Sequence, residues 1–452
     1  MTPIKMSKLA GATSLIALSL TLPALAQDAV IETAAEVVQS VDKGDTTWML
    51  VSTILVILMT LPGLALFYGG LVRAKNMLSV LMQVFAGFAM MALLWVIYGY
   101  SLAFAGPESG GLSPFIGDLS KAFLNGVTPD SVVATFSDGV FIPELTFVVF
   151  QLTFAAITPA LIIGAIAERA RFGAVMLFLA IWFTFSYLPI AHMVWAGSGF
   201  LFNLGALDFA GGTVVHINAG IAGLVAAIVL GPRAGFPKEP MAPHNLTFTM
   251  IGACLLWVGW FGFNAGSNLE ANGLTAQAML NTITATSAAA LAWAAAERVM
   301  RGHASLLGAV SGAVAGLVAI TPAAGLAGTM GAIFLGAVAG IVCLWAVVTL
   351  KPMLKYDDSL DVFGVHGVGG IVGALGTAIV AAPALGGFGG DGFEIGSQFV
   401  TQLIAVVIAI VWSAVVAFIA LMIVKMVMPL RVSDSEENDG LDLSSHGERA
   451  YN

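Results

Sequence analysis

The chain has little charge. Only 10% of its 452 residues are Asp, Glu, Lys or Arg, while 59% are hydrophobic and the mean hydropathy is +0.96. A soluble domain carries about 25% charged residues, so this scarcity excludes an ordinary soluble protein. The formal net charge of −9 gives no basis for nucleic-acid binding. The composition therefore indicates a membrane protein that crosses the bilayer several times.

Cysteine is scarce as well. Cys254 and Cys343 lie in apolar runs far apart in the sequence, without a ligand spacing, so we interpret both as buried thiols. The sequence also lacks the HExxH pattern of metalloproteases and the GxSxG pattern of a serine nucleophile. We therefore predict neither an enzyme activity nor a metal or other cofactor.

The first 26 residues have the layout of a secretory signal peptide. Lys5 and Lys8 precede a short apolar stretch, which ends in small residues before Gln27. The apolar stretch is too short to span a bilayer comfortably. We predict cleavage after Ala26, which makes 27–47 a periplasmic N-terminal segment. An uncleaved first helix is the alternative.

Eleven later stretches are apolar over roughly the 20 residues that a spanning helix needs. They predict an all-α membrane domain over 48–430, with spans at about 48–70, 77–105, 145–166, 172–194, 209–230, 245–266, 275–296, 305–321, 327–350, 363–383 and 397–428. The acidic, polar residues 431–452 follow as a C-terminal tail. The tail is either partly disordered or docked on the inner loops.

Positive charge predicts the orientation of these spans. With the N-terminus outside, every inner loop carries two positively charged residues, and the inner loops and tail together hold thirteen of the seventeen lysines and arginines. The outer segments of the mature chain hold only Lys43 and Lys121. This distribution predicts eleven spans with the N-terminus outside and the C-terminus in the cytoplasm.

The fifth and tenth spans share a pattern. VVHINAGIAGLVAA and GVHGVGGIVGALGT align as V-H-x-x-x-G-I-x-G, and Asp208 and Asp358 each precede a histidine by eight residues. A repeat of five spans is inverted, because an odd number of crossings reverses the second copy. We predict two inverted five-helix halves, at about 48–230 and 245–383, followed by a long eleventh helix at about 397–428.

Of the six histidines, only His216 and His366 lie well inside predicted spans. Eight helical residues place each about 12 Å from its own face of the bilayer, the outer face for His216 and the inner face for His366. An inverted two-fold axis would bring the two together near the middle of the membrane. Two neutral imidazoles can share one proton. The pair favours a polar lining for an apolar conduction path, with a packed structural pair as the alternative.

Two further features lie near the outer ends of the spans. Asp208 precedes the fifth span, where it would cap free amides and complement the helix dipole; attraction of a cation is the second interpretation. An aromatic face attracts a desolvated cation by about 2 kcal/mol. Aromatic and polar residues that suggest such a site are Phe150, Phe154, Trp195, Trp260, Phe263 and Ser267.

Six stretches resemble the ammonium transporter (Amt/MEP/Rh) family, in its bacterial Amt form. They are FQLTFAAITPALIIGAIAERARF, SYLPIAHMVWAG, GALDFAGGTVVHINAGIAGLV, WVGWFGFNAGS, DDSLDVFGVHGVGGIVGALGT and GLDLSSHGERAYN. The resemblance runs from about residue 48 to the C-terminus but leaves 27–46 and the outer loop 106–142 without a motif. It implies eleven helices in two inverted halves, assembled as a homotrimer in the cytoplasmic membrane, with one pore per subunit.

The resemblance also implies an outer ammonium site formed by Phe150, Phe154, Trp195 and Ser267. Phe154 and Phe263 would be paired rings that block the mouth of the pore. A hydroxyl oxygen at Ser267 would accept a hydrogen bond from ammonium, which potassium cannot donate.

The pore itself, by the same resemblance, would be lined by His216 and His366, with Trp260 in its wall. Asp208 would be the essential acid beside the outer vestibule, and Asp358 is its pseudo-equivalent in the second half. Because a bare cation is costly in an apolar pore, we expect NH4+ to lose its proton near the rings and to cross as NH3.

Two other functions remain open on the sequence. One is a passive channel for another small neutral molecule, which needs no cation site. The other is an ammonium sensor that signals through the cytoplasmic tail. Members of the resembled family commonly bind PII-type signal proteins at the inner loops and tail, so transport and signalling are compatible.

Overall fold

We describe the protein from a computed structural model that covers residues 41–451. The predicted signal peptide lies outside the described residues, as does the following segment up to residue 40. Apart from one small hairpin, regular structure in the described part of the chain is helical. The hairpin pairs β1 (Val132–Ala134) antiparallel with β2 (Phe141–Pro143).

The longest connection between the helices is the loop that contains the hairpin, and those over 231–245 and 381–394 are also extended. In chain order the helices are α1 (Lys43–Leu71), α2 (Ala74–Phe104), α3 (Glu144–Ile166), α4 (Phe172–Leu204), α5 (Gly212–Leu230), α6 (Leu246–Gly266), α7 (Gly273–Arg301), α8 (Leu306–Ala323), α9 (Thr329–Leu354), α10 (Phe363–Val380), α11 (Ile395–Val427), α12 (Asp434–Asp439) and α13 (Leu441–His446).

Ten of the described helices are long and apolar enough to cross a membrane. These helices make the chain a multi-pass membrane protein. α7, which contains the predicted seventh span, is not among the ten, although its 29 residues exceed the length that a span needs. α7 packs against α8 and α9. The count of eleven spans therefore stays a prediction.

Several helix ends differ from the predicted spans. α4 reaches Leu204 rather than 194, because the chain resumes a helical course at Phe200 after a short break. α7 reaches Arg301 rather than 296, and α9 reaches Leu354 rather than 350. In α7 and α9 the helix continues into charged residues beyond the apolar stretch, where hydropathy no longer marks it.

The tail is docked against the connections at one end of the helices. We call this end the inner end and the opposite one the outer end, after the predicted orientation. The Glu437 carboxylate accepts a hydrogen bond from the Ala234 amide at 2.7 Å and pairs with Arg431 at 2.6 Å. Lys75 Nζ donates to the Asn438 carbonyl at 2.6 Å, and Asp442 accepts from the Ser79 amide at 2.8 Å. The sequence allowed either a partly disordered tail or a docked one, and in the structure the tail is docked.

A buried ionic network lies beneath the tail. Arg233 pairs with Asp357 at 2.7 Å and with Glu168 at 3.1 Å, and Glu168 also pairs with Arg73 at 2.9 Å. Burial alone would raise the pKa of Glu168, but Arg233 and Arg73 lower it below its usual value. The carboxylate therefore stays ionised, and the network joins four inner connections, those that contain Arg73, Glu168, Arg233 and Asp357.

α5 and α10, which carry the two intramembrane histidines, cross at a pair of glycines. A Cβ atom on Gly220 would collide with the backbone of Gly367. The crossing is possible because both positions lack a side chain, as is typical of close helix packing in membranes. Gly367 directly follows His366, so the closeness of this contact helps determine where the histidine lies.

We expect Gly220→Ala to destabilise the protein by about 1–3 kcal/mol, because an added methyl group forces apart two closely packed backbones. The thermal unfolding midpoint in detergent measures the effect. Gly396→Ala, at a helical position with nothing within 4 Å of the added Cβ, is the matched control. Equal midpoints for the two variants would contradict the close crossing.

Candidate functional site

The two helices with intramembrane histidines begin in the same unusual way. α5 starts with a π-helical turn over Gly212–Ile217, and α10 starts with one over Phe363–Gly367. His216 and His366 each lie inside such a turn. π-helical turns are rare and occur often at functional sites. The two segments therefore resemble each other in local backbone conformation as well as in sequence.

The two histidines contact each other directly. Their Nδ1 atoms are 3.2 Å apart, and their ring centroids are 5.3 Å apart with 21° between the planes. The exposed fraction is 1% for His216 and 4% for His366. A hydrogen bond between two Nδ1 atoms needs one donor and one acceptor, so one ring carries a proton on Nδ1 and the other does not.

The histidine pair borders a small cavity. Its volume is about 10 Å³, and apolar side chains such as Leu161, Val215 and Leu256 form most of its wall. Roughly this volume is needed to hold a single water molecule. His216 Nε2 has no hydrogen-bond partner within the described part of the chain. The cavity therefore suits one small molecule with few polar contacts.

Trp260 forms a further side of this cavity. Its ring stacks on His216 with centroids 5.4 Å apart and 18° between the planes. Its indole Nε1 donates a hydrogen bond to Thr321 Oγ1 at 2.9 Å. That bond holds the ring in place and leaves no free indole donor pointing into the cavity.

Two phenyl rings stack beside the cavity, and Phe263 forms part of its wall. Phe154 of α3 and Phe263 of α6 stack with centroids 4.2 Å apart and 25° between the planes. Both are buried, and Phe263 lies 6.0 Å from the His216 ring. Rings stacked at this distance leave no room for an ion between them.

The remaining predicted outer residues gather around Phe154. Trp195 meets its ring edge to face at 5.8 Å, and Phe150 does so at 5.0 Å. Ser267 Oγ donates to the Phe263 carbonyl at 2.8 Å, which keeps its lone pairs available as acceptors. Ser267 is thus bonded to the main chain of Phe263, the residue that supplies the second ring of the stacked pair.

Asp208 is bonded to the start of α5. Its carboxylate accepts hydrogen bonds from four consecutive amides, at 2.9 Å from Gly211, 2.5 Å from Gly212, 2.8 Å from Thr213 and 3.1 Å from Val214. Burial raises the pKa of this carboxyl group to about 6, although the four amides oppose that rise. The Asp208 carbonyl also accepts from Trp195 Nε1 at 3.0 Å, which connects the acid to the aromatic cluster.

Asp358 is placed similarly but bonded differently. Its carboxylate accepts from the Phe363 amide at 2.7 Å, and Lys351 Nζ donates to its main-chain carbonyl at 2.6 Å. Burial raises the pKa of this carboxyl group to about 6 as well. The two acids therefore occupy equivalent positions before their histidines, yet only Asp208 bonds a full turn of amides.

Sequence reasoning missed two parts of this region. Thr321 holds Trp260, but a single threonine in an apolar helix gives no signal of such a contact. An inner vestibule of about 530 Å³ opens towards the tail side and reaches His366. Phe67 and Val314 line both this vestibule and the small cavity, so they lie where the two meet. Residues 41–451 contain no cluster of three or more metal-ligating side chains.

Together these features define a class of protein: a multi-pass helical membrane protein with a buried, apolar, histidine-lined cavity between an outer aromatic cluster and an inner vestibule. The profile of the Ammonium Transporter Family matches residues 47–451, and the chain belongs to this family.

Curated relatives agree with this assignment. The chain is 47% identical to the ammonium transporter of Bacillus subtilis (strain 168), over 90% of this chain and 98% of the relative. It is 48% identical to the ammonium transporter of Aquifex aeolicus (strain VF5), over 91% of this chain and 94% of the relative.

Solved structures are similar as well. Mep2 of Saccharomyces cerevisiae matches with a TM-score of 0.78 at 35% identity. The match covers 88% of this chain and 92% of the Mep2 chain. A structure described as a sensor Amt protein has a TM-score of 0.79 at 28% identity and covers 89% of this chain and 98% of its own. The chain therefore shares both sequence and fold with the family.

We expect Asp208→Ala to lower the thermal unfolding midpoint clearly. It removes the acceptor of four buried amides, and each donor left unpaired costs about 1–3 kcal/mol. Asp208→Asn retains one acceptor oxygen and is expected to lie between Asp208→Ala and the parent. Asp130→Ala, which changes an exposed loop aspartate, is the control. An Asp208→Ala midpoint equal to that of the control would show that these hydrogen bonds do not support α5.

Proposed function

We propose that this protein carries ammonium across the cytoplasmic membrane by binding NH4+ outside, removing a proton and conducting NH3 through the histidine-lined cavity. Membership of the Ammonium Transporter Family supports the substrate. One observation carries the mechanism: two imidazoles joined at 3.2 Å line a small apolar cavity beside a stacked pair of phenyl rings.

Recruitment takes place at the outer aromatic cluster. Phe150, Phe154 and Trp195 offer ring faces, and each desolvated cation–π contact contributes up to about 2 kcal/mol. Ser267 offers a hydroxyl oxygen that accepts a hydrogen bond from an N–H group. Potassium has a similar charge and size but donates no hydrogen bond, so Ser267 favours ammonium.

Proton removal comes next, near Phe154 and Phe263. The cavity behind the rings has an apolar wall, in which a bare cation is expensive and neutral ammonia is not. A transient opening of the stacked rings then admits NH3 while the cation is held back. Asp208 favours positive charge at the outer side while it holds the first turn of α5.

The histidine pair supplies polar atoms along an otherwise apolar route. His216 Nε2 has no protein partner in the described chain, and His216 lines a cavity of about the volume of one small molecule. NH3 accepts or donates one hydrogen bond there and passes His366 into the inner vestibule. Trp260 keeps the wall rigid. The proton either returns outside or crosses separately along the two imidazoles.

The same proposal includes the assembly. α7 also crosses the membrane, which brings the number of spans to eleven. The N-terminus is outside and the C-terminus inside, and the halves 48–230 and 245–383 are inverted repeats that place His216 opposite His366. The repeats are supported by the shared π-helical starts of α5 and α10. We also propose a homotrimer, and a PII-type signal protein as a partner at the inner loops and tail.

We expect His216→Ala and His366→Ala each to change transport in liposomes under an ammonium gradient, because each removes one of the two polar linings of the pore. Ammonium flux, electrical current and potassium exclusion are measured together. At least one of the three is expected to differ several-fold from the parent. If both variants keep parental flux, current and exclusion of potassium, the histidine-lined route is wrong.

We expect Trp195→Leu to weaken ammonium recruitment, raising the apparent KM by up to about thirtyfold if one full cation–π contact is lost. Uptake at low ammonium is the measurement, with uptake at saturating ammonium little changed. Trp345→Leu is the matched control, because Trp345 is 47% exposed on the surface of α9. A passive channel for a neutral molecule predicts instead that Trp195→Leu leaves uptake at low ammonium unchanged.

A further inference from the structure

The loop between α2 and α3 exposes apolar side chains in a strained turn. Phe123 is 74% exposed and Leu119 is 61% exposed. Phe123 and Leu124 both have left-handed backbones, with φ of 55° and 57°. Bulky residues adopt this conformation rarely, and it persists only where the surroundings enforce it. The strained backbone turns a phenyl ring outwards. In water this turn would cost free energy twice, once for the backbone strain and once for the exposed apolar ring.

The turn is fastened to the side of α2. The Gly117 amide donates to the Leu102 carbonyl at 2.7 Å, and the Lys121 amide donates to Ser101 Oγ at 2.9 Å. Lys121 forms an ion pair with Glu144 at the start of α3, so its charge is compensated locally. The Ala122, Asn125 and Val127 amides also have backbone acceptors within the loop. A segment with satisfied backbone groups tolerates a membrane environment.

The contacts of the turn place it below the outer end of α2. The residues Ala122–Leu124 pack against Trp95–Gly99, a π-helical stretch of α2, as well as against its last helical turn. Trp95–Gly99 lies five to nine residues before the end of α2 at Phe104, or about 7–14 Å along the helix axis. α2 is about 46 Å long, slightly longer than a whole bilayer of about 40–45 Å. In a bilayer that α2 spans over its whole length, the turn is therefore expected at the level of the headgroups and the adjoining acyl chains.

The exposed surface of α2 beside the turn is apolar as well. Ile97, within the stretch that the turn contacts, is 37% exposed, and Leu93 one turn further in is 66% exposed. Only 33% of the apolar window of α2 is buried within the chain. Phe123 and Leu119 thus extend an apolar strip that lipid covers if α2 spans the membrane.

We propose that residues 117–125 form an interfacial anchor, in which Phe123 and Leu119 insert into the outer leaflet of the bilayer beside α2. Aromatic residues favour this level of a membrane. The anchor holds the outer loop against α2 and explains why a strained turn presents a phenyl ring. The proposal is independent of what the protein transports.

Spin labelling of the full chain in lipid nanodiscs tests the anchor. Phe123→Cys is compared with Asp130→Cys, an exposed position of the same loop. Both are made in a Cys254→Ala background, because Cys254 is exposed in the structure and not buried as predicted, whereas Cys343 is fully buried. Collision of the label with oxygen, which concentrates in lipid, and with a water-soluble nickel chelate reports its surroundings. We expect the ratio of oxygen to nickel accessibility at Phe123 to exceed that at Asp130 several-fold.

Two outcomes would overturn the proposal. Equal ratios at the two positions would place Phe123 in water. Shielding of the Phe123 label from both reagents would place it against protein, most simply against a second copy of this chain. Leu119→Cys repeats the measurement on a second inserted residue, so a poorly folding Phe123→Cys protein leaves the proposal testable.

Discussion

The contact between two buried imidazoles is the constraint on which the rest of the site depends. At an Nδ1 to Nδ1 distance of 3.2 Å the two rings form a hydrogen bond when one ring donates and the other accepts. Placing two polar rings in an apolar cavity is unfavourable unless they satisfy each other or a passing molecule. The surrounding helices must therefore hold both rings at one distance, in a cavity large enough for a single small molecule.

Different parts of the chain maintain that geometry from each side. Gly220 and Gly367 allow the two histidine-bearing helices to cross closely. Asp208 bonds the first turn of α5 and, through its carbonyl, the Trp195 ring of the outer cluster. On the inner side, Arg233 joins Glu168 to Asp357, immediately before the segment that leads to His366. Hydrogen bonds and ion pairs thus connect the outer aromatic cluster and the inner connections to the helices that carry His216 and His366.

Much of the fold could be predicted because the membrane makes hydropathy and positive charge unusually informative. Ten predicted spans correspond to long apolar helices, and the offset of eight residues between each aspartate and its histidine marked two equivalent segments. The seventh predicted span, in α7, is the exception, because α7 has the length of a span but is less apolar than the other long helices. Helix ends such as Leu204 and Arg301 extend past the apolar stretches, where hydropathy gives no signal.

The site was only partly accessible to sequence reasoning. Histidine in an apolar span is conspicuous, whereas Thr321, which holds Trp260, looks like any other polar residue in a helix. Glu168 and Arg233 were visible only as loop charges, because their pairing joins segments 65 residues apart. The left-handed turn at Phe123 also has no sequence signal, since such backbones are expected at glycine rather than at bulky residues.

Nitrogen-15 NMR of the histidine side chains in the membrane-embedded protein tests the central claim most directly. Selective labelling, with His216→Ala and His366→Ala for assignment, separates the two rings. We predict a coupled pair in which one Nδ1 carries the proton and the other accepts it. Two protonated Nδ1 atoms, or two rings without coupling between their Nδ1 atoms, would contradict a shared proton and with it the account of the pore.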